Sequence, residues 1–118
     1  MNIFQQFFAF LRLHEAVRKA DEAYRLHRRR FYVLPGAGRS LVVMDRSNFR
    51  ILKRKGYINP KAFTSDAVKE SFYFTPFADG SGAIAEPDRR HKVRQYFSWY
   101  QNRLKEAEKR KRDGKIQR

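Results

Sequence analysis

Three histidines are the side chains of this sequence best suited to acid–base or metal chemistry at neutral pH. His14, His27 and His91 stand far apart, and none belongs to an HExxH or other metal-ligand spacing. His14 lies on an apolar stripe of a predicted N-terminal helix, and we interpret it as a hydrogen-bonded core histidine. The chain has no cysteine, which excludes disulfides, thiolate nucleophiles and cysteine metal ligands.

The carboxylates are few, and local structure accounts for those that stand out. Asp45 and Asp66 are placed to cap helices, Asp79 lies in a predicted turn, and Glu86 and Asp88 begin a helix. No pair is positioned for acid–base work. We therefore expect no catalytic residue, no metal and no cofactor, which predicts a protein that is not an enzyme.

Residues 36–40, Gly-Ala-Gly-Arg-Ser, have a composition that could cradle a phosphate on backbone N–H groups. The segment lacks the length and the Lys-Ser/Thr ending of a P-loop. It also leads into a predicted strand, whereas a phosphate-binding loop leads into a helix. A hairpin turn is therefore the favoured interpretation.

The strongest chemical signal is positive charge. Lys and Arg outnumber Asp and Glu by 27 to 12, for a net charge of +15, and residues 89–118 alone hold twelve cations against three acids. Self-repulsion at this charge opposes folding, so a neutralising partner is expected: nucleic acid, an acidic protein or an anionic membrane. The alternative is a solvated basic surface. The predicted polyanion contacts are Arg28, Arg29, Arg30, Arg50, Lys53, Arg54, Lys109, Arg110, Lys111 and Arg112.

Such contacts would act through counterion release and would not read base sequence. Tyr96, Trp99 and Tyr100 lie among the C-terminal cations and could stack on bases, although a place in the core is the favoured interpretation. No RNP signature, zinc finger or clear helix-turn-helix is present. Any binding to DNA is therefore expected to be non-specific.

Residues 2–27 are predicted to form a helix whose first three turns are apolar around most of their circumference. A small domain lacks the material to cover such a helix, which makes it a candidate for docking on another protein. The predicted docking residues are Ile3, Phe4, Phe7, Phe8 and Leu11. No membrane span is expected, because a spanning helix needs about 20 apolar residues. Binding to a membrane surface is less favoured, because the phenylalanines and cations of this helix lie at different ends.

The middle of the chain alternates between strand and helix signals. Residues 31–34 and 41–44 predict a β-hairpin around the glycine turn. A short helix follows from the cap Asp45, with Ser47 as a competing cap, to Lys55; Phe49 and Leu52 face inward and Gly56 is its left-handed stop. A break is predicted at Asn59–Pro60, then a short helix from Thr64 to Glu70 and a third strand over residues 72–75.

The last helix shows the clearest amphipathic pattern. Its apolar residues recur at spacings of four and three: Val93, Phe97, Tyr100, Leu104 and Ala107. Beyond Leu104 the sequence offers almost nothing to bury. We predict one α+β domain over residues 1–104, with long terminal helices, a small antiparallel sheet and one or two short helices. Residues 105–118 are predicted to form a basic helical extension or tail.

Several short strings occur together in a fixed order. They are Phe31-Tyr32-Val33-Leu34-Pro35, Met44-Asp45-Arg46, Asn48-Phe49-Arg50, Lys55-Gly56-Tyr57-Ile58, Glu70-Ser71-Phe72-Tyr73-Phe74-Thr75-Pro76 and Tyr96-Phe97-Ser98-Trp99-Tyr100. In this combination the chain, from about residue 2 to residue 100, resembles small proteins encoded by tailed gut bacteriophages of the crAss-like kind. The resemblance brings no catalytic or ligand residues. It implies a setting, which is a phage particle or a phage-infected cell.

Two hypotheses of function follow. The first is a non-enzymatic minor structural or accessory protein of a tailed phage particle, at the capsid, portal vertex or head-tail region. It would be present in multiple copies, bound to larger virion proteins, with its basic faces toward DNA or acidic protein surfaces. The alternative is a phage-encoded nucleic-acid-binding or regulatory protein in the cytoplasm of the infected bacterial host.

Overall fold

The structure, a computed structural model, describes residues 1–56 and 64–116. Its helices and strands are, in chain order, α1 (Ile3–His27), β1 (Phe31–Pro35), β2 (Leu41–Asp45), α2 (Arg46–Arg54), α3 (Thr64–Glu70), β3 (Tyr73–Phe74) and α4 (Glu86–Ile116). The predicted α+β class, with long terminal helices around a small antiparallel sheet, is confirmed. The break predicted at Asn59–Pro60 lies outside the described residues.

The sheet is antiparallel, with strand order β2-β1-β3. The predicted hairpin is confirmed: β1 pairs with β2 from Phe31 opposite Asp45 to Pro35 opposite Leu41. The amide of Gly36 closes its turn by donating to the carbonyl oxygen of Ser40, at 2.9 Å. The third strand spans only Tyr73–Phe74 and is shorter than predicted, but the amides of the flanking residues Phe72 and Thr75 also donate to carbonyl oxygens of β1.

The central strand β1 is buried on both faces because helices cover the sheet on both sides. Phe31 and Val33 pack with Ala16 and Ala20 of α1. The alternate residues of β1 pack on the other side with Phe49 of α2 and Ala67 of α3. This alternation follows from the two-residue period of a strand, and it places the sheet between α1 and the two short helices.

Helix α1 begins with a capping box in which the side chains of Asn2 and Gln5 each accept the other residue's backbone N–H. Its buried residues are three alanines and one leucine at helical spacing, Ala9, Leu13, Ala16 and Ala20. The interpretation of His14 as a core histidine is wrong: its side chain is exposed and stacks on Phe10, with ring centroids 6.0 Å apart. The alanine side of α1 can approach the sheet more closely than the phenylalanine side, so the larger side chains face outward.

The predicted start of α2 is confirmed. The side chain of Asp45 accepts the backbone N–H of Asn48 at 2.8 Å, as an N-cap does. Phe49 is buried on the inner face, and Gly56 follows the helix with φ of +85°, the left-handed conformation expected there.

Helix α4 runs antiparallel to α1, because Phe8 lies beside Leu104 whereas Leu13 lies beside Val93. Its inward side is centred on Tyr96, which is fully buried, and not on Phe97 as the sequence pattern predicts. Phe97 is half-buried at the edge of this contact. Within the described ranges no helix combines the length and apolar character needed to cross a membrane.

Candidate docking and polyanion-binding surfaces

Six large apolar side chains on the first half of α1 are exposed, with relative exposures between 42% and 75%. We call this set the apolar face; it comprises Ile3, Phe4, Phe7, Phe8, Phe10 and Leu11. At 100° per residue these positions lie on the side of the helix opposite Ala9 and Leu13, which make the buried contact. All five docking residues predicted from the sequence are on this face, and Phe10 extends it.

The C-terminal half of α4 lies beside the apolar face. Phe8 and Gln5 share the lining of an open cleft with Leu104, Ala107 and Lys111. The antiparallel arrangement therefore brings Lys111 and Glu108 of α4 to the border of Phe8, where Arg12 and Arg39 also line the cleft. The pattern of apolar and basic residues within α1 does not show this neighbourhood, because it depends on how α4 packs against α1.

The predicted polyanion contacts of α4 are exposed along the helix: Lys109, Arg110, Lys111 and Arg112. They form no ion pair with any residue that the structure describes. On α2, Arg50 and Arg54 are exposed and Lys53 is half-buried. These cations make a second basic surface, on the opposite side of the sheet from α1.

The three consecutive arginines after α1 have different environments. Arg28 is exposed and has a φ of +53°, in the left-handed region that favours glycine. Arg29 forms an ion pair with Asp45, with 3.2 Å between Nη1 and Oδ2. Arg30 lies over the rings of two phenylalanines and donates a hydrogen bond to a backbone carbonyl, so its guanidinium is part of the packing.

A cavity of about 770 Å³ lies between the end of α1, the start of α2 and the loop that follows β3. We call it the arginine cavity, because its lining includes Arg28, Arg29, Arg30 and Arg46 together with Tyr32, Ser47 and Phe77. Asp79 is the carboxylate in this lining, and hydrogen bonds from the Ser81 hydroxyl and amide lower its pKa, so it stays ionised. Arg46 is far from the arginines that follow α1 in sequence, and only the folded hairpin brings them together.

One cation of the C-terminal cluster is structural. The ammonium group of Lys92 is buried and donates hydrogen bonds to the carbonyl oxygens of Val68, at 2.7 Å, and Ser71, at 2.6 Å. Burial lowers the pKa of Lys92. The cation satisfies carbonyl groups at the C-terminus of α3, where a positive charge is favourable.

The aromatic residues of α4 belong mainly to the core, as the favoured interpretation holds. Tyr96 and Tyr100 are buried. Trp99 is half-buried and packs against Phe72, with ring centroids 5.3 Å apart. Base stacking by these tyrosines would require the contact between α1 and α4 to open.

The described side chains therefore offer three kinds of contact: an apolar face on α1, exposed cations on α2 and α4, and the arginine cavity.

In comparisons with protein-family models, curated proteins and solved structures, no match to this chain was found.

Proposed function

We propose that this protein is a non-enzymatic binding protein that attaches to a larger protein through the apolar face of α1. The observation that carries the proposal is the exposure of six large apolar side chains on one side of a single helix. Contiguous apolar surface of this kind is unusual on a monomer and marks interaction sites. Burying it against a groove of a partner would contribute roughly 25 cal/mol for each Å² removed from water.

The surroundings of the apolar face favour a partner with acidic residues around an apolar groove. Three cations, Arg12, Arg39 and Lys111, and one acid, Glu108, line the cleft at Phe8, and the chain carries a net charge of +15. A second copy of this chain would bring like charges together, which opposes association. An acidic rim on the partner would instead be complementary to these cations and to the net charge of the chain, and it would speed and orient the encounter.

The resemblance to proteins of crAss-like tailed phages supplies the setting of this proposal. There, the protein is a minor structural or accessory component of the particle, at the capsid, portal vertex or head-tail region. It is present in multiple copies on larger virion proteins, and its basic surfaces face packaged DNA or acidic protein surfaces. Polyanion contact of this kind needs charge and exposure only, which the cations of α2 and α4 provide.

The test is quantitative mass spectrometry of phage particles purified through a density gradient. The proposal predicts that the protein is found in the particles at a fixed ratio to the major capsid protein. Absence from the particles would contradict it. So would recovery of the isolated protein as a stable dimer, or its retention on anionic lipid vesicles through the phenylalanines of α1.

A second candidate function is a nucleic-acid-binding or regulatory protein of the infected cytoplasm. The exposed cations of α4, which form no ion pair with a described residue, favour it. This candidate predicts that the protein is absent from particles and is recovered with nucleic acid from infected cells. The same fractionation of one infected culture therefore separates the two candidates.

A further inference from the structure

We infer that the arginine cavity is a binding site for a nucleotide unit, with its phosphate held by Arg28 and Arg46 and its base stacked on Phe77. The inference deepens the proposed polyanion contact by giving it a defined site and a ligand class. It does not depend on docking through the apolar face of α1.

The charges around the cavity favour an anion. Arg28 and Arg46 are exposed, line the cavity and form no ion pair with a described residue. The carboxylate of Asp45 is already engaged by Arg29 and by the first turn of α2. The guanidinium groups that line the cavity therefore outnumber the single negative charge of Asp79. Guanidinium groups bind phosphate through paired hydrogen bonds, which makes phosphate the matching anion.

The backbone at Arg28 is a second and separate observation. Its φ of +53° places an arginine where a helix commonly ends in glycine, since a Cβ in this conformation crowds the following carbonyl oxygen. The amide of Arg28 still makes the closing hydrogen bond to the carbonyl oxygen of Tyr24, at 2.8 Å. Glycine would make the same bond without the crowding. The side chain at this position is therefore better explained by a role in the cavity than by the end of the helix.

Phe77 gives the cavity a platform for a base. The residue is 49% exposed, and the guanidinium carbon of Arg30 lies over one face of its ring, 3.7 Å from the centroid, so a base would stack on the other face. The loop fixes the residue through hydrogen bonds from the amide of Phe77 to the carbonyl oxygen of Ser81 and from the amide of Gly80 to the carbonyl oxygen of Phe77, each at 2.9 Å. A held aromatic ring next to cations is the arrangement on which bases of single strands stack. The volume of about 770 Å³ is within the range of small-ligand sites.

The experiment measures binding of a short, labelled, 5′-phosphorylated single-stranded DNA to the full chain by fluorescence anisotropy. Three variants are compared: Arg28→Gly, Phe77→Leu and the control Arg90→Gln, which removes one exposed cation of α4 outside the cavity. We expect Arg28→Gly to bind about fivefold to tenfold more weakly while melting at an equal or higher temperature. Phe77→Leu should also weaken binding, and Arg90→Gln should change it less than twofold.

Competition identifies the source of the nucleotide. If a mononucleotide displaces the strand, the cavity is a site for free nucleotides. If it does not, and strand binding still depends on Arg28 and Phe77, the cavity is a site for nucleic acid. Inorganic phosphate that competes as well as the mononucleotide would overturn the assignment of a base to Phe77. If Arg28→Gly binds the strand with wild-type affinity, the cavity is not the binding site. This result does not depend on how well Phe77→Leu folds. Particle incorporation is a separate measurement, so failure of the proposed docking is distinguished from failure of this inference.

Discussion

The phenol of Tyr96 in α4 donates a hydrogen bond to the carbonyl oxygen of Ala9 in α1, at 2.6 Å and across 87 positions of the chain. Both residues are fully buried. The bond fixes the alanine side of α1 against α4, and it thereby turns the phenylalanine side outward. The exposure of the apolar face is therefore a consequence of how the two long helices are joined.

Replacing Tyr96 with Phe should lower the free energy of unfolding by about 0.5 to 1.5 kcal/mol, because the buried Ala9 carbonyl oxygen loses its phenol donor but stays within α1. The matched control is Tyr24→Phe, which removes the exposed hydrogen bond from the Tyr24 hydroxyl to the carbonyl oxygen of Phe77. Urea unfolding of both variants checks the prediction. A loss in Tyr96→Phe no larger than in Tyr24→Phe would show that the interhelical bond contributes little.

Stability should fall in alkaline solution because of Tyr73. Burial raises its pKa, and its hydroxyl also donates to the carboxylate of Asp21 at 2.5 Å. Because the pKa of Tyr73 is raised in the folded state, its contribution to stability is fully present below the pKa of about 10 that tyrosine has in the unfolded chain. That contribution is lost as the pH rises above this value. The slope would approach roughly 1.4 kcal/mol per pH unit.

The measurement compares wild type with Tyr73→Phe in urea unfolding between about pH 8 and pH 11. The variant should start less stable and then lose less stability above about pH 10. All other side chains are the same in both proteins, so the difference between the two curves isolates Tyr73. If the two curves run parallel, Tyr73 is not the cause of the loss of stability in alkaline solution.

Two glycines of the loop after β3 should differ in their tolerance of alanine. Both have positive φ, +84° at Gly80 and +72° at Gly82. A Cβ at Gly80 would have nothing within 4 Å, but one at Gly82 would lie 2.5 Å from Nη2 of Arg30 and 2.9 Å from the ring of Phe77. We expect Gly80→Ala to cost about 1 kcal/mol and Gly82→Ala to cost about 1 to 3 kcal/mol more. Equal melting temperatures for the two variants would show that Arg30 and Phe77 move aside freely.

Much of the fold could be predicted from local signals. The cap Asp45, the stop Gly56 and the turn at residues 36–40 each act within a few positions, and the sequence shows them directly. The buried side of α1 could not be predicted this way. Hydrophobicity favours Phe7 and Phe10, but close packing against the sheet selects Ala16 and its neighbours instead.

The candidate sites also differ in how far the sequence alone predicts them. The exposure of the predicted docking residues follows from an excess of apolar side chains on one short stretch, which composition reveals. The arginine cavity depends on the hairpin, which brings the end of α1 to the start of α2. The opposite environments of Arg28 and Arg30, only two positions apart in sequence, likewise depend on tertiary contacts that no local pattern encodes.

Truncation after Leu104 should leave the domain folded but weaken binding to DNA. Beyond this residue the described side chains of α4 are exposed, apart from the half-buried Ala107, so little apolar area is lost. The removed segment carries seven Lys and Arg against three acids. The wild-type protein should bind duplex DNA at roughly micromolar Kd with a steep dependence on salt, and the truncated protein should show a shallower dependence.

A full-length variant with Lys109, Arg110, Lys111 and Arg112 replaced by Gln separates charge from helix length. It should match the truncated protein in salt dependence. A large drop in melting temperature on truncation would show that the segment packs on the domain. Undiminished DNA binding would show that its cations form only a solvated surface.

The central claim, that the apolar face of α1 docks on a larger protein, is tested most directly by the double variant Phe4→Ser/Phe8→Ser. Its control is Leu26→Ser/Ile51→Ser, which changes two exposed apolar residues outside the face. Both variants should melt close to wild type, because exposed side chains contribute little to stability. The measurement is the ratio of each variant to the major capsid protein in purified phage particles, by mass spectrometry. The account predicts a wild-type ratio for the control and loss of Phe4→Ser/Phe8→Ser from the particles; a wild-type ratio for both, or unfolding of Phe4→Ser/Phe8→Ser alone, would contradict it.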